Sequence, residues 1–381
     1  MTVTYKPVWE YIPLKWVILF AIALLIALMV AIFEDNLTVV GDITKPSFLS
    51  LFVNHAIAFT VPIFLAALGG LYAERSGVIN LALEGMMLSG AFSAVLFAYY
   101  FNDFILGLLA GICVGAVLGL VHAFICIHLR GDQIISGVAI NILAVGITNY
   151  FYKVILSDVP AAEIPGIPTI NEIMGWEADF GTPPTGSEYD IVRMLGYILF
   201  EQSPIVYLVV LLAIIGHYVL FHTVFGLRVR AVGEHPRAAD TVGINVYLVR
   251  YACVILSGAL AGLAGVYLSM GFLSGTFAGE MSGGRGFIAI AAYIFGNWNV
   301  GGTLAAAILF GSFQSFQEFL KVKQIFLSVP VPLPGIGTKK INILATEFLE
   351  MIPYLLTIAV LARSIRKVRA PSAIGKPYIK E

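Results

Sequence analysis

The chain has 381 residues, 59% of them hydrophobic and only 12% charged, with a mean hydropathy of +0.92. So few charges cannot solvate a water-exposed exterior, which excludes a string of soluble domains and indicates a polytopic membrane protein in a lipid bilayer. Lys plus Arg (22) nearly balance Asp plus Glu (23), leaving no basic field for nucleic acid, and Cys113, Cys126 and Cys253 form an odd, unspaced set in apolar runs that argues against disulfides and structural zinc.

The first apolar run, residues 14–33, is about 20 residues long, too long for the core of a cleaved signal peptide and right for a retained span. Lys6 and Lys15 precede it and Glu34, Asp35 and Asp42 follow it, so the positive-inside rule leaves the N-terminus in the cytoplasm. Further apolar stretches lie at 48–72, 81–101, 104–128, 134–155, 205–223, 248–270, 286–297, 301–320 and 342–362, which makes about ten transmembrane helices in an all-α fold. An even number returns the C-terminus to the cytoplasm, where the tail 363–381 carries Arg363, Arg366, Lys367 and Arg369. The chain is then a single multi-pass transmembrane domain of the cell membrane, with helices at 14–155 and 205–362 separated by an outer segment. That segment, 153–204, holds eight acids and several prolines and reads as an extracellular cap rather than one helix. The loop 321–340 should be external yet holds Lys321, Lys323, Lys339 and Lys340, against the charge rule.

Glycines recur every four residues in the fourth span, at Gly107, Gly111, Gly115 and Gly119, and again in the seventh at Gly258 and Gly262. One small-residue face admits a neighbouring backbone; close helix packing and pathway lining both remain open. The words Leu65-Ala-Ala-Leu-Gly-Gly-Leu-Tyr72 and Leu260-Ala-Gly-Leu-Ala-Gly-Val-Tyr267 share five of eight positions and fall five spans apart. Opposite orientation of the two copies gives two inverted five-helix halves, an arrangement of transporters; chance recurrence of small apolar words is the rival. Polar groups inside spans need a partner or a wet path, which singles out Asn54, His55, Asn80, Glu84, Asn141 and Asn149 as translocation-pathway candidates. Glu84 near Arg75 reads either as a structural hydrogen bond or salt bridge or as a transport or proton group. His122 and Cys126 are one turn apart and read as buried side chains rather than a metal site.

The cytoplasmic segment 224–247 carries the sharpest functional signal. Pro236 suits a first helical turn and Gly243 the left-handed position past its end, bracketing one short helix with Ala238 and Ala239. Such a knob, flanked by Arg228, Gly233, Glu234 and Ile244, can seat in a groove of another protein; a plain amphipathic connector is the alternative.

This segment resembles the coupling loop of ABC importer permeases of the branched-chain amino acid, ribose and nucleoside type. Glu74-Arg-Ser-Gly-Val-Ile-Asn-Leu-Ala-Leu-Glu-Gly, with Asn80, Glu84 and Gly85, and Gly284-Arg-Gly-Phe-Ile-Ala-Ile-Ala-Ala-Tyr-Ile-Phe-Gly-Asn-Trp298 are similar to two other stretches of that family, the second to its nucleoside or simple-sugar branch. The resemblance runs from about residue 50 to 362 and implies a type II importer-like fold. It implies a second permease subunit (a homologous sister chain or another copy), an ABC ATPase that uses ATP and Mg²⁺, and an extracellular or periplasmic substrate-binding protein. Compatible with this, the sequence holds no G-x-x-x-x-G-K-[ST] loop, no H-E-x-x-H and no G-x-S-x-G, so the chain reads as a transport subunit binding no cofactor and not as an enzyme. The resulting expectation is a permease for nucleosides or a related sugar-containing solute. Branched-chain amino acids or a ribose-like sugar are the nearer alternatives; an ion-coupled secondary transporter or a membrane scaffold are the remoter ones.

Overall fold

A computed structural model describes residues 46–160, 163–176, 181–182, 191–322, 328–333, 337–342, 351 and 369–380. The expected spans 14–33 and 342–362, apart from residues 342 and 351, lie outside them. Among the described residues six helices are long and apolar enough to cross a membrane.

The first, α1 (Pro46–Arg75), is followed by α2 (Leu83–Phe101), α3 (Phe104–Ala123) and α4 (Gln133–Phe151), the last two continuing through a π turn to His128 and Leu156. After the cap helices α5 (Ile170–Met174) and α6 (Ile191–Phe200) come α7 (Pro204–His222), α8 (Val224–Glu234), α9 (Pro236–Thr241) and α10 (Val246–Val266), which continues to Phe272. Two more helices, α11 (Arg285–Phe295) and α12 (Val300–Val322), precede the strands β1 (Ser328–Leu333) and β2 (Gly337–Asn342).

Local chemistry sets the ends. Asp103 accepts from Ile105 N–H at 2.7 Å, Asp132 from Ile134 and Ile135 N–H, and Asn245 from Leu248 N–H at 3.1 Å, each satisfying first-turn donors that have no intrahelical acceptor. Ser203 caps α7, whose first residue is Pro204. The chain leaves α2 through Asn102 at φ +50.

Helices α1, α2 and α10 form the centre. The longest interfaces run between α10 and α3 and between α1 and α12, with α10 also against α1 and α2, and α11 against α1. Outer faces of α3, α4 and α7 stay apolar and exposed, as at Leu109, Ile135, Ile142, Val210 and Ile214. A bilayer accepts such surfaces; water would not. At all six of the recurring glycines a neighbouring stretch of chain approaches closely. Beyond Gly119, an added Cβ would lie 2.8 Å from the Val254 carbonyl of α10, and Gly107, Gly111 and Gly115 abut α2 and α10 backbone, including Gly258 and Gly262.

Two expectations need correction. The stretch 286–297 is too short to cross as a helix by itself. Its helix, α11, covers about 16 Å, half of a hydrocarbon core of about 30 Å, because residues 273–284 are an irregular segment with Ser274, Gly275, Glu280, Gly283 and Gly284 at positive φ. The fold is helical but not wholly α, since β1 and β2 pair antiparallel, Ser328 opposite Asn342 and Leu333 opposite Gly337, where a loop and the start of a span were expected. The short helix expected between Pro236 and Gly243 is α9, and a further helix, α8, precedes it.

Candidate functional site

Between α1 and α2 the chain unwinds over residues 76–82, and this turn is where the polar span residues gather. Ile79 N–H donates to Gln133 Oε1 at 2.7 Å, and its carbonyl meets His122 Nε2 at 2.9 Å. Asn80, fully buried, donates to Ser257 Oγ of α10 at 2.9 Å and accepts from Ala82 N–H at 3.0 Å. Asn141 of α4 accepts from Gly85 N–H at 2.8 Å and donates to the Leu81 carbonyl at 2.9 Å. Side chains from α3, α4 and α10 therefore replace the missing helical ladder, the condition for non-helical backbone at membrane depth. His122 is fixed on its other side by Ser136 Oγ at 2.9 Å. Among the described residues no group of three His, Cys, Asp or Glu could hold a metal ion.

Glu84, four residues after Asn80 in the first turn of α2, joins two distant parts of the chain. Its Oε1 accepts from Gly284 N–H at 2.8 Å and its Oε2 from Gly286 N–H at 2.6 Å, so the carboxylate caps the N-terminus of α11. A Cβ on Gly286 would lie 2.5 Å from Glu84 N, so the first turns of α2 and α11 touch backbone to backbone. The positive ends of two helices thus face one carboxylate, an arrangement favoured by both dipoles. The expected neighbour Arg75 is elsewhere: its Nε donates to the Trp298 carbonyl at 2.9 Å. Beside it the buried Glu74 accepts from Tyr293 Oη and Trp298 Nε1, both at 2.7 Å, a clamp on the far end of α11 that sequence reading missed. The Glu-Arg pair opening the recognised segment and the Trp closing the other were its only signal.

The remaining pathway candidates lie apart. Asn54 donates to the Tyr197 carbonyl at 3.3 Å and its own carbonyl accepts from Gln202 Nε2 at 3.2 Å, fastening the cap to α1. The cap is tied again where Ile167 N–H donates to the Met270 carbonyl at 2.9 Å. His55 is half-buried, its ring edge-on to Phe59 and Phe272 at 6.3 and 6.5 Å. Asn149 faces Gly279 in the irregular segment.

In the segment 224–247, Thr223 caps α8 by accepting from Gly226 N–H at 3.2 Å. Pro236 opens α9 as its first residue, and Gly243, at φ +84, ends it. Ala239 is 4% exposed and points into the chain's own core; the outward surface includes Arg228, Arg237, Ala238, Thr241 and Val242, the last 75% exposed. Ala231, Glu234, His235, Ala238, Ala239, Val242 and Ile244 line a hollow of about 250 Å³. Gly233 presses on the Arg75 carbonyl, leaving no room for a Cβ, and Glu234 accepts from Ser372. The knob α9 is thus a short exposed helix carried on α8, and it is α8 that presses on the end of α1.

Residues 52–361 match the permease component of branched-chain amino acid transport systems. The guanosine ABC transporter permease protein NupQ of Bacillus subtilis is 41% identical over 342 residues, covering 87% of this chain and 97% of its own length. The nucleoside ABC transporter permease protein NupC of Lactococcus lactis is 37% identical over 87% of this chain and 98% of its own. A putative glucose ABC transporter permease protein, TsgC13, of Haloferax volcanii is 33% identical over 88% and 99%. No solved structure matches. The chain belongs to this family of ABC transporter permeases: it is a multi-pass membrane transport subunit rather than an enzyme, and works with ATPase and binding-protein partners.

Proposed function

We propose that the chain is the permease subunit of an importer for nucleosides, delivered by an external binding protein and driven by a separate ATPase that uses ATP and Mg²⁺. The carrying observation is the identity of 41% and 37%, over nearly the full length of the relatives, to permeases named for guanosine and nucleosides. The glucose permease at 33% keeps a simple sugar as the second reading. In this reading α9 is the cytoplasmic knob that seats on the ATPase, both termini are cytoplasmic, and a second permease, sister or copy, completes the pathway.

Two inverted five-helix halves account for the packing. Exchanging α1 with α10, α2 with α11 and α3 with α12 turns the α10–α3 interface into the α1–α12 interface and the α10–α2 contact into the α1–α11 contact. The repeated glycines follow the same exchange. Gly70 of α1 receives Tyr293 of α11, and Gly265 of α10 receives Met87 and Ala91 of α2. Transport then proceeds as alternating access, the halves rocking about the junction where Glu84 holds the α2 and α11 termini together. Asn80 and Asn141 are positioning groups for that junction. Their place beside the pathway is part of the proposal.

The test is uptake of labelled guanosine by cells expressing the chain with its ATPase and binding protein. Uptake that unlabelled nucleosides compete away, and glucose and leucine do not, is expected. Competition by glucose alone moves the assignment to sugars.

A further inference from the structure

Residues 369–380 fold back across the turns beside α9, and hydrogen bonds hold them along their length. Arg369 N–H donates to Asn297 Oδ1 at 3.1 Å, in the turn between α11 and α12. Ser372 gives its N–H and its hydroxyl to Glu234 Oε2, at 3.2 and 2.8 Å. Ala373 N–H donates to the Gly233 carbonyl at 2.9 Å, and Gly375 N–H to the Gly77 carbonyl at 3.1 Å, inside the unwound turn. Arg250, 1% exposed at the start of α10, donates Nη1 to the Lys376 carbonyl at 3.1 Å and Nε to the Ser76 carbonyl at 3.2 Å. Tyr378 is buried edge-on to Tyr247 at 5.4 Å, and Lys380 lies 3.9 Å from Asp240 of α9.

These contacts meet at a mechanical weak point. Helix α9 touches only α8 and α10 among the helices it packs against closely, so a load on so short a piece would be lost in rotation of its flanking loops. The folded-back segment supplies the lateral ties, to α8 and α9 on one side and to the turns 76–82 and 296–299 on the other. It also supplies, through the Lys376 carbonyl, one of the two acceptors of a buried guanidinium whose Nη2 has no partner and which has no carboxylate beside it among the described residues, so its loss leaves that cation with the Ser76 carbonyl alone.

We propose that residues 369–380 are a coupling strap, a permanent crossbar that carries displacement of the docking helix α9 to the unwound turn between α1 and α2 and to the end of α11. The strap rests on the reading of α9 as the ATPase-docking knob. It is a positioning element and touches no solute.

The test uses the intact transporter, with ATPase and binding protein, in proteoliposomes. One permease variant stops after residue 368; a second carries Glu234→Ala with Ser372→Ala, which keeps the chain complete. In the truncated form the ATPase should stay bound and hydrolyse ATP, while uptake falls at least tenfold and hydrolysis no longer responds to loaded binding protein. The double variant should lose two- to fivefold in both readouts, and decides alone if the truncated chain does not assemble. Wild-type uptake and stimulation in an assembled variant overturn the proposal. A Glu234→Cys, Ser372→Cys pair separates a crossbar from a lid: oxidised, it should transport as the wild type does, and a block released by reductant overturns the crossbar. A wild-type transporter that ignores nucleosides counts against the proposed substrate instead, and stimulation of hydrolysis by the binding protein still reads the strap.

Discussion

Replacing Glu84 by Gln probes the junction of α2 and α11 with almost no change of shape. The carboxylate is 9% exposed and accepts two short bonds, from Gly284 at 2.8 Å and Gly286 at 2.6 Å. Bonds to a charged group are worth about 1.5–3 kcal/mol each, and an anion at a partly buried helix N-terminus adds up to about 2 kcal/mol. Gln keeps one carbonyl acceptor, worth about 1 kcal/mol, loses the charge and turns an N–H donor toward the second amide. Two such bonds and the anion total about 3–8 kcal/mol, so the net loss is about 2–7 kcal/mol. Glu84→Ala orphans both amides and should cost the full amount, about 3–8 kcal/mol. Denaturation of the purified permease in mixed micelles with rising SDS, followed by circular dichroism, measures both. Wild-type stability in Glu84→Gln, within about 0.5 kcal/mol, would refute the capping account. The same variant should leave the pH dependence of uptake unchanged in shape, and its selective loss would make Glu84 a proton carrier and reopen ion-coupled transport.

Val242→Asp, on a residue 75% exposed, should leave stability within about 0.5 kcal/mol yet abolish copurification of the ATPase. Ala239→Asp instead buries a carboxylate at a site 4% exposed and should destabilise the permease itself by about 3 kcal/mol, seen as a lowered denaturation midpoint. Gly90→Leu should cost about 3 kcal/mol or more by overpacking, because its Cβ alone would lie 2.6 Å from Gly262 backbone; Gly146→Ala, with nothing within 4 Å, should gain up to about 1 kcal/mol and serves as the control. Tyr293→Phe removes the 2.7 Å bond to Glu74 and should lower stability by about 1.5–3 kcal/mol in the same titration.

Signals that act within one helix were legible in the sequence. Helix α9 is bracketed by Pro236 and Gly243 because one presets φ and the other takes a backbone conformation unfavourable to a Cβ. The glycine face of α3 follows from helical periodicity alone. Long-range pairing was not legible. Glu84 suggested a local partner in Arg75, yet its bonds reach residues 200 and 202 positions away, which no spacing rule encodes. Hydropathy could not see that the helix at 286–297 is too short to cross, since a short helix buried in protein is as apolar as a spanning one. Asn54, a polar residue in a span, looked like pathway and holds the cap. Composition marked the tail as basic; the contacts that bind it join residues far apart in the chain, as Ser372 to Glu234 and the Lys376 carbonyl to Arg250, beyond the reach of any spacing rule.

The most direct measurement is photo-cross-linking from position 242 in the intact transporter, through Val242→Cys carrying a short benzophenone reagent. Illumination should join the permease to the ATPase subunit in high yield, and the reagent should reach the site only from the side of the membrane where ATP is supplied. Adducts to the binding protein alone, or labelling by an impermeant reagent added outside sealed cells, would contradict the central claim.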